Sequence, residues 1–265
     1  MASGEARRLW KATGKPVLIT DRSLRPVRSD LFNGLPYIIF APTQNYQHLI
    51  NGSGTRPYIM SKLTTQWTWR KYQPQPAEIV FTPEELAFAE PYRGLVMLEP
   101  NVKAIGHRNK DWGTINWTQL DSALHLASIK TVQCGPPGTR YLPHVKGVET
   151  MTFRQACAVL SVARAFVGHE GGLHHAAAAV GTSAVVLFGG FISPKVTGYA
   201  SHRNLFTGGT LGASLGCGRR TECQHCRDAM NKILPSQVFN ELRGILNEHS
   251  ITDVRVEPVA VGASG

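Results

Sequence analysis

The stretch FVGHEGGLHHAAAAVGTSAVVLFGG, residues 166–190, decides the fold. An apolar run enters Gly168, crosses His-Glu-Gly-Gly, continues as GLHHAAAAVG and closes on the wholly apolar SAVVLFGG. The outer pieces read as buried strands and the middle as a helix ending at Gly181. Strand, helix and strand in that order make a βαβ unit with parallel strands. The first turn of such a helix offers unpaired N–H groups and a partial positive charge, which suit phosphate. Gly171 and Gly172 carry no side chain to keep a ligand off the backbone. Tight strand–helix packing alone would use the same glycines, so the choice depends on the rest of the chain. Adjacent helical residues point about 100° apart, so His174 and His175 do not form the i, i+4 pair of an H-E-x-x-H zinc helix. One can reach a phosphate while the other packs.

Outward from this stretch the rhythm repeats. GLVMLEP (94–100), IKTVQ (129–133), ARAFVG (163–168) and RNLFT (203–207) read as strands. INWTQLDSALHLA (115–127) and a segment capped by Thr152 read as helices, and a last helix starts at Pro235 and Ser236. Before residue 94 the pattern is looser: a helical lead-in, strand candidates PVLIT (16–20), YIIFA (37–41) and EIVFT (78–82), and a short helix PEELAFAE.

At 265 residues the chain suits one large domain or two small ones. Its apolar (42%) and charged (17%) fractions are those of a globular protein, and its net charge of +10 favours anionic partners. No run approaches the roughly 20 apolar residues that span a bilayer, and the N-terminus lacks an apolar signal core. Five cysteines, an odd number without a secreted spacing, point to a reduced, cytoplasmic protein with no transmembrane segment. Nothing in the sequence specifies an oligomer.

Several motifs then fall in order: GLVMLEP followed by Lys110-Asp111-Trp112; the CGPPG loop; Glu149-Thr150-Met151-Thr152 opening a helix; the 166–190 stretch; and CGRRTECQHCRDAMNKILPSQVFNEL. From about residue 94 to 245 this resembles the C-terminal half of glycosyltransferase family 9, the ADP-heptose heptosyltransferases of lipopolysaccharide synthesis. The resemblance implies an α/β GT-B-like fold, two Rossmann-like domains with parallel sheets. Here the N-terminal, acceptor-side domain is reduced to residues 1–93, the nucleotide-sugar domain spans 94–250, and 251–265 form a disordered tail. It implies donor binding by Glu170 at sugar hydroxyls, by Gly171, Gly172 and Leu173 at the diphosphate turn, and by His175 at the motif's histidine position. Lys110 stands near the phosphate and Met151 where the base packs, with Asn101 joining them beyond the GLVMLEP strand. Such enzymes work without a bound metal or other cofactor.

The match departs from the family at the front. The family's strand leads into a Gly-Asp turn that supplies a base; here PVLIT leads to Asp21 and, one segment later, Asp30. Either is a candidate base, and either can be a turn residue or a helix cap. In the CGPPGTRY loop, Arg140 replaces an acidic ribose contact, and Glu170 replaces Asp, so the nucleotide and the sugar stay open.

Two other clusters stand out. Cys217, Cys223 and Cys226, with His225 beside them, have half of a zinc spacing but no defined fourth ligand, and reduced structural thiols are the plainer reading. Trp67 and Trp69, among Arg70 and Lys71, are either a stacking platform or a half-buried strand. Lys103, His107, Arg108 and Lys110 share a loop expected to face the cleft. The expected reaction is sugar transfer from a nucleotide diphosphate sugar to an acceptor hydroxyl. The acceptor is anionic, a phosphorylated lipopolysaccharide-type glycan or DNA with a hydroxylated modified base. The competing reading is a non-catalytic nucleic-acid-binding protein reusing the fold. A nicotinamide dehydrogenase fits less well, because no G-x-G-x-x-G follows the first strand.

Overall fold

The computed structural model describes residues 1–51, 56–102, 108–208 and 214–253, with side chains to residue 248. The first half contains α1 (Ala2–Thr13), β1 (Val17–Thr20), β2 (Ile38–Ile39), β3 (Gln47–Ile50), β4 (Ile59–Lys62), β5 (Trp67–Trp69) and α2 (Pro83–Ala89). The second contains β6 (Val96–Glu99), α3 (Thr114–Leu126), β7 (Thr131–Gly135), β8 (Lys146–Glu149), α4 (Phe153–Val162), β9 (Ala165–His169), α5 (Gly172–Val180), β10 (Ala184–Leu187), α6 (Pro194–Thr197), β11 (His202–Leu205), α7 (Gln224–Asn231) and α8 (Pro235–Asp253).

The second half is built on one six-stranded sheet of order β11-β10-β9-β6-β7-β8, and every pairing is parallel. Counted from β6, this is the doubly wound order 3-2-1-4-5-6, whose direction reverses between the first and fourth strands. Here those strands are β6 and β9, with Glu99 opposite Gly168 at their carboxyl ends. The strands are continuous apolar runs because helices cover both faces. Met97, Val132, Phe166 and Val186 face a core shared with α4 and α5. Leu98, Val167, Val185 and Leu187 face one shared with α3 and α8. The first of these cores also takes Tyr58, Ile59, Trp69 and Ala89 from ahead of residue 94.

The first half has its own small parallel sheet, β2-β1-β3, over a core of Val17, Ile19, Phe32, Tyr37 and Ile38 with α1 against it. One buried cation straps it to the larger body. The Arg154 guanidinium donates to both Glu85 carboxylate oxygens at 2.6 Å and to the carbonyls of Asp30 (2.7 Å) and Val80 (2.6 Å).

The expected strand EIVFT corrects to an extended segment without a ladder. Its Ile79 and Phe81 pack on the larger core while the Val80 carbonyl receives Arg154, so its partners are side chains rather than a strand. α8 runs to Asp253, and residues 254–265, where most of the expected tail falls, lie outside the described residues. No described helix is long and apolar enough to cross a membrane.

Candidate active site

The carboxyl end of β9 delivers His169 and Glu170, and Gly171 then caps α5 with no side-chain bond to its first N–H groups. Those groups have no intrahelical partner by construction. A side chain at Gly172 would press on the Phe153 ring, 3.2 Å from an added Cβ. The Phe153 ring and the 71%-exposed Met151 beside it leave apolar surface open next to this turn. The α4 start that carries them is fixed by a reciprocal capping box between Thr152 and Gln155.

Lys110 ends a 3-10 turn, Arg108–Lys110, beyond β6. Its ammonium forms an ion pair with the Glu170 carboxylate, donates to the Glu170 carbonyl at 3.3 Å, and lies 5.1 Å from the Phe191 ring centre. Burial pushes the Glu170 carboxyl up, but the Lys110 ammonium, by charge and hydrogen bond, leads the groups that outweigh it and hold the carboxyl below its usual range, so it is ionised. His175 Nε2 lies 3.8 Å from Glu170 Oε1, beyond a hydrogen bond, and Nδ1 lies 3.0 Å from the Tyr199 hydroxyl. Burial lowers the His175 pKa to about 3, keeping the ring neutral. A neutral ring whose Nδ1 accepts from Tyr199 would carry its proton on Nε2, the nitrogen on the Glu170 side. His174 is fully buried, edge-on to Phe188 and Tyr199. Trp112 fixes the other end of the Lys110 turn, its backbone N–H donating to His169 Nε2 at 3.1 Å and its indole to the Ile233 carbonyl at 2.8 Å.

Lys110, Glu170, Gly171, Gly172, Leu173, His175 and Met151 thus collect around one end of the sheet. Asn101 is exposed there, its N–H donating to Glu99 at 2.8 Å. Burial raises the Glu99 carboxyl to about 7. Arg140 is exposed on the loop between β7 and β8. Arg108 pairs with Glu222 at 3.0 Å; Lys103 and His107 lie outside the described residues. The two candidate bases differ. The Asp21 carboxylate accepts from the Ser23 and Arg25 N–H groups at 2.8 and 3.0 Å and from the Arg25 side chain. Asp30 lines a cleft of about 360 Å³ with Asn33, Glu85, Thr152 and Arg154. Sequence reading missed Tyr199, Phe153, Tyr58 and Arg56. Tyr58 feels the Glu170 charge and accepts a 2.9 Å bond from Arg56. Phe153 had a signal, as the first apolar residue after the Thr152 cap; the tyrosines and Arg56 stand on segments without a motif.

Two groups of described residues gather metal-type ligands. The atoms of Glu170, His174 and His175 lie within 4.8 Å of one another, but the ammonium of Lys110 already neutralises Glu170, so a cation fits poorly there. Cys217, Cys223, His225 and Cys226 also lie within 4.8 Å. Cys217 Sγ is 3.9 Å from Cys223 Sγ and 3.0 Å from Cys226 Sγ. Tetrahedral thiolates on a 2.3 Å metal radius stand about 3.8 Å apart, so small shifts would complete a Cys₃His set. His225 stands where a fourth ligand could sit. A hydrogen bond from Cys226 holds the Cys217 thiol down to about 5. Trp67, between Lys62 and Arg220 at 5.0 and 5.3 Å, has cations against it and packs edge-on with Trp69.

A doubly wound sheet with an uncapped helix and a lysine at its switch point defines an α/β protein of the GT-B type. The chain belongs to glycosyltransferase family 9 (heptosyltransferase), whose model matches residues 55–236. Among solved structures it is similar to the iron-containing dodecameric glycosyltransferase TibC from enterotoxigenic E. coli, with 14% identity over 91% of this chain and 78% of that one and a TM-score of 0.55. It is similar to E. coli ADP-heptose lps heptosyltransferase II, with 17% identity over 68% of this chain and a TM-score of 0.50. A family 9 glycosyl transferase from Veillonella parvula has 15% identity over 66% of this chain and a TM-score of 0.50. The chain spans 56% and 55% of the length of these last two. No curated protein matches it.

Proposed function

We propose that this chain transfers a sugar from a nucleotide diphosphate sugar to an acceptor hydroxyl, with the donor seated at the carboxyl ends of β6 and β9. The observation that carries the reading is the ion pair of Lys110 with Glu170 beside the uncapped start of α5. Cleaving the sugar–phosphate bond builds negative charge on the departing diphosphate. Lys110 and the N–H groups of Gly172 and Leu173 are preorganised donors for that charge. Glu170, ionised, accepts from sugar hydroxyls, and neutral His175 adds a donor without adding charge. Met151 and Phe153 cover the base, and Arg140 and Asn101 flank the ribose side. Asp30 is the better placed general base, because it shares a cleft with Thr152 while the Asp21 carboxylate is spent on its own turn.

The net charge of +10 favours an anionic acceptor, a phosphorylated glycan or DNA bearing a hydroxylated base. The same charge favours the non-catalytic nucleic-acid reading, which predicts steep loss of DNA affinity with salt and no release of nucleoside diphosphate. Cys217, Cys223, His225 and Cys226 are assigned a thiophilic cation, as the iron of TibC also suggests; bound there, it would cross-link a loop and take no part in transfer. The test is release of nucleoside diphosphate from nucleotide sugars by the unmutated protein, Glu170→Ala and Lys110→Ala. Equal turnover by all three would remove the site assignment.

A further inference from the structure

The cysteine cluster and the donor site are joined by one buried side chain. Asn109, 3% exposed, is the residue before Lys110 and occupies the middle of its 3-10 turn. Its amide nitrogen donates to the carbonyls of Arg219 (2.7 Å) and Thr221 (2.8 Å), and its oxygen accepts from the Cys223 N–H at 3.0 Å. Both donors and the acceptor are thereby engaged by the loop that runs from Cys217 to Cys223. That loop has no regular structure of its own. Its other ties run to the β4–β5 hairpin, with Trp67 N–H to the Gly218 carbonyl at 2.9 Å, Arg220 N–H to the Thr65 carbonyl at 2.8 Å and the Gln66 amide to the Cys217 carbonyl at 2.9 Å, and to the turn after β10, with Cys217 and Gly218 N–H to the Gly190 and Phe191 carbonyls at 3.0 Å each. Backbone bonds already pin the Cys217 end, and the thiols and imidazole sit where a cation would join that end to the start of α7.

We propose that Asn109 is a positioning residue that couples a metal centre at Cys217, Cys223, His225 and Cys226 to Lys110. The inference rests on the donor and metal readings above. With the cation bound, the 217–223 loop presents two carbonyls and one N–H in the pattern that a single asparagine amide matches. Asn109 then sets the turn that aims Lys110 at Glu170 and at the diphosphate. Without the cation, the loop keeps its backbone ties to the hairpin and to Gly190 and Phe191 but loses the cross-link between Cys217 and the start of α7, so the template for Asn109 loosens and Lys110 is held less firmly. The centre therefore acts on the strength of diphosphate binding and not on the bond that breaks.

The probe is inorganic pyrophosphate, which carries the diphosphate charge without presuming a nucleotide. Elemental analysis first measures metal per chain in the full-length protein as isolated and after loading with zinc or ferrous iron. Calorimetry then measures pyrophosphate affinity in loaded and chelator-stripped protein, for the unmutated chain and Asn109→Ala. Stripping is expected to weaken pyrophosphate about tenfold, within the usual range of coupling between two sites. Asn109→Ala is expected to keep its metal, to bind pyrophosphate as weakly as the stripped protein, and to show no further loss on stripping. A reciprocal measurement needs no variant: pyrophosphate should tighten the metal against a competing chelator by the same factor. This measurement decides the matter if Asn109→Ala fails to fold. No metal under any loading condition, or a Cys217–Cys226 disulfide in its place, overturns the metal reading and the coupling with it. Metal bound with no effect on pyrophosphate, in either direction, overturns the coupling and leaves the metal reading standing. Additive losses from Asn109→Ala and stripping show that the path bypasses Asn109. Pyrophosphate that fails to bind the loaded, unmutated protein overturns the donor reading itself.

Discussion

The two parallel sheets of this chain are unequal. The six-stranded sheet is covered on both faces, reverses direction between β6 and β9, and gathers Lys110, Glu170, His175 and the start of α5 at that point. The three-stranded sheet has strands of two to four residues, and its strand end leads to an aspartate absorbed by its own turn. The difference teaches that the charged and uncapped groups proposed to hold a donor gather on the larger sheet, while the smaller one contributes short strands and a wall to the molecule. What ties wall to site is Arg154, whose four hydrogen bonds reach Glu85, Val80 and Asp30.

The sharpest way to break this comparison is to disable the larger sheet's site. Lys110→Ala should lower kcat/KM by about 10²–10³-fold, the usual cost of removing one preorganised donor to developing charge. It should also destabilise the fold, because Glu170 would remain buried with its carboxylate unpaired. Steady-state kinetics and urea melts would show both. On the smaller side, Asp30→Ala should cost about 10²-fold or more as loss of a general base, while Asp21→Ala should leave turnover within a factor of about two and cost only the turn. A reversed ranking would move the base.

Cutting the strap is the next test. Arg154→Ala leaves Glu85 half of a broken buried pair and should cost about 3 kcal/mol in denaturant unfolding. If the small sheet depends on this contact, the loss should appear as earlier proteolysis within residues 17–50, with the six-stranded body still protected.

The pH response should come from the larger body. Burial lowers His169 and His175 to about 3 and His202 to about 4. Between those values and the ordinary histidine range the unfolded chain binds protons that the folded chain refuses, so stability rises with pH. The urea midpoint should fall steadily as pH drops from 7 to 4. His202→Phe, which removes a ring with no nitrogen partner among the described residues, should flatten part of that slope. An unchanged slope would mean that the ring is solvated.

Much of the larger sheet was legible because parallel, doubly covered strands must be apolar throughout, as VVL before Phe188 is. Its edge was not: β8 buries only Val148 of four residues, so KGVE carries no periodic signal. EIVFT misled in the other direction, since a short apolar run also suits an extended segment lying along a core. Within the site, the glycines, Glu170 and Lys110 were legible through spacing. Tyr199 and Asn109 were not, because each makes its contacts only when segments distant in sequence meet. α7 was hidden by its polarity, with Cys226, Ala229 and Met230 its buried residues.

The central claim is a diphosphate-bearing donor at the β6–β9 switch point held by Lys110. Its most direct test is a thermal-shift titration of the unmutated protein and Lys110→Ala against a panel of nucleotide diphosphate sugars. A ligand that binds only the folded state at 100 times its Kd adds about 2.7 kcal/mol. At least one donor should therefore raise the melting temperature of the unmutated protein by several degrees and leave Lys110→Ala nearly unmoved. No shift with any donor, or the same shift in both proteins, would contradict the account.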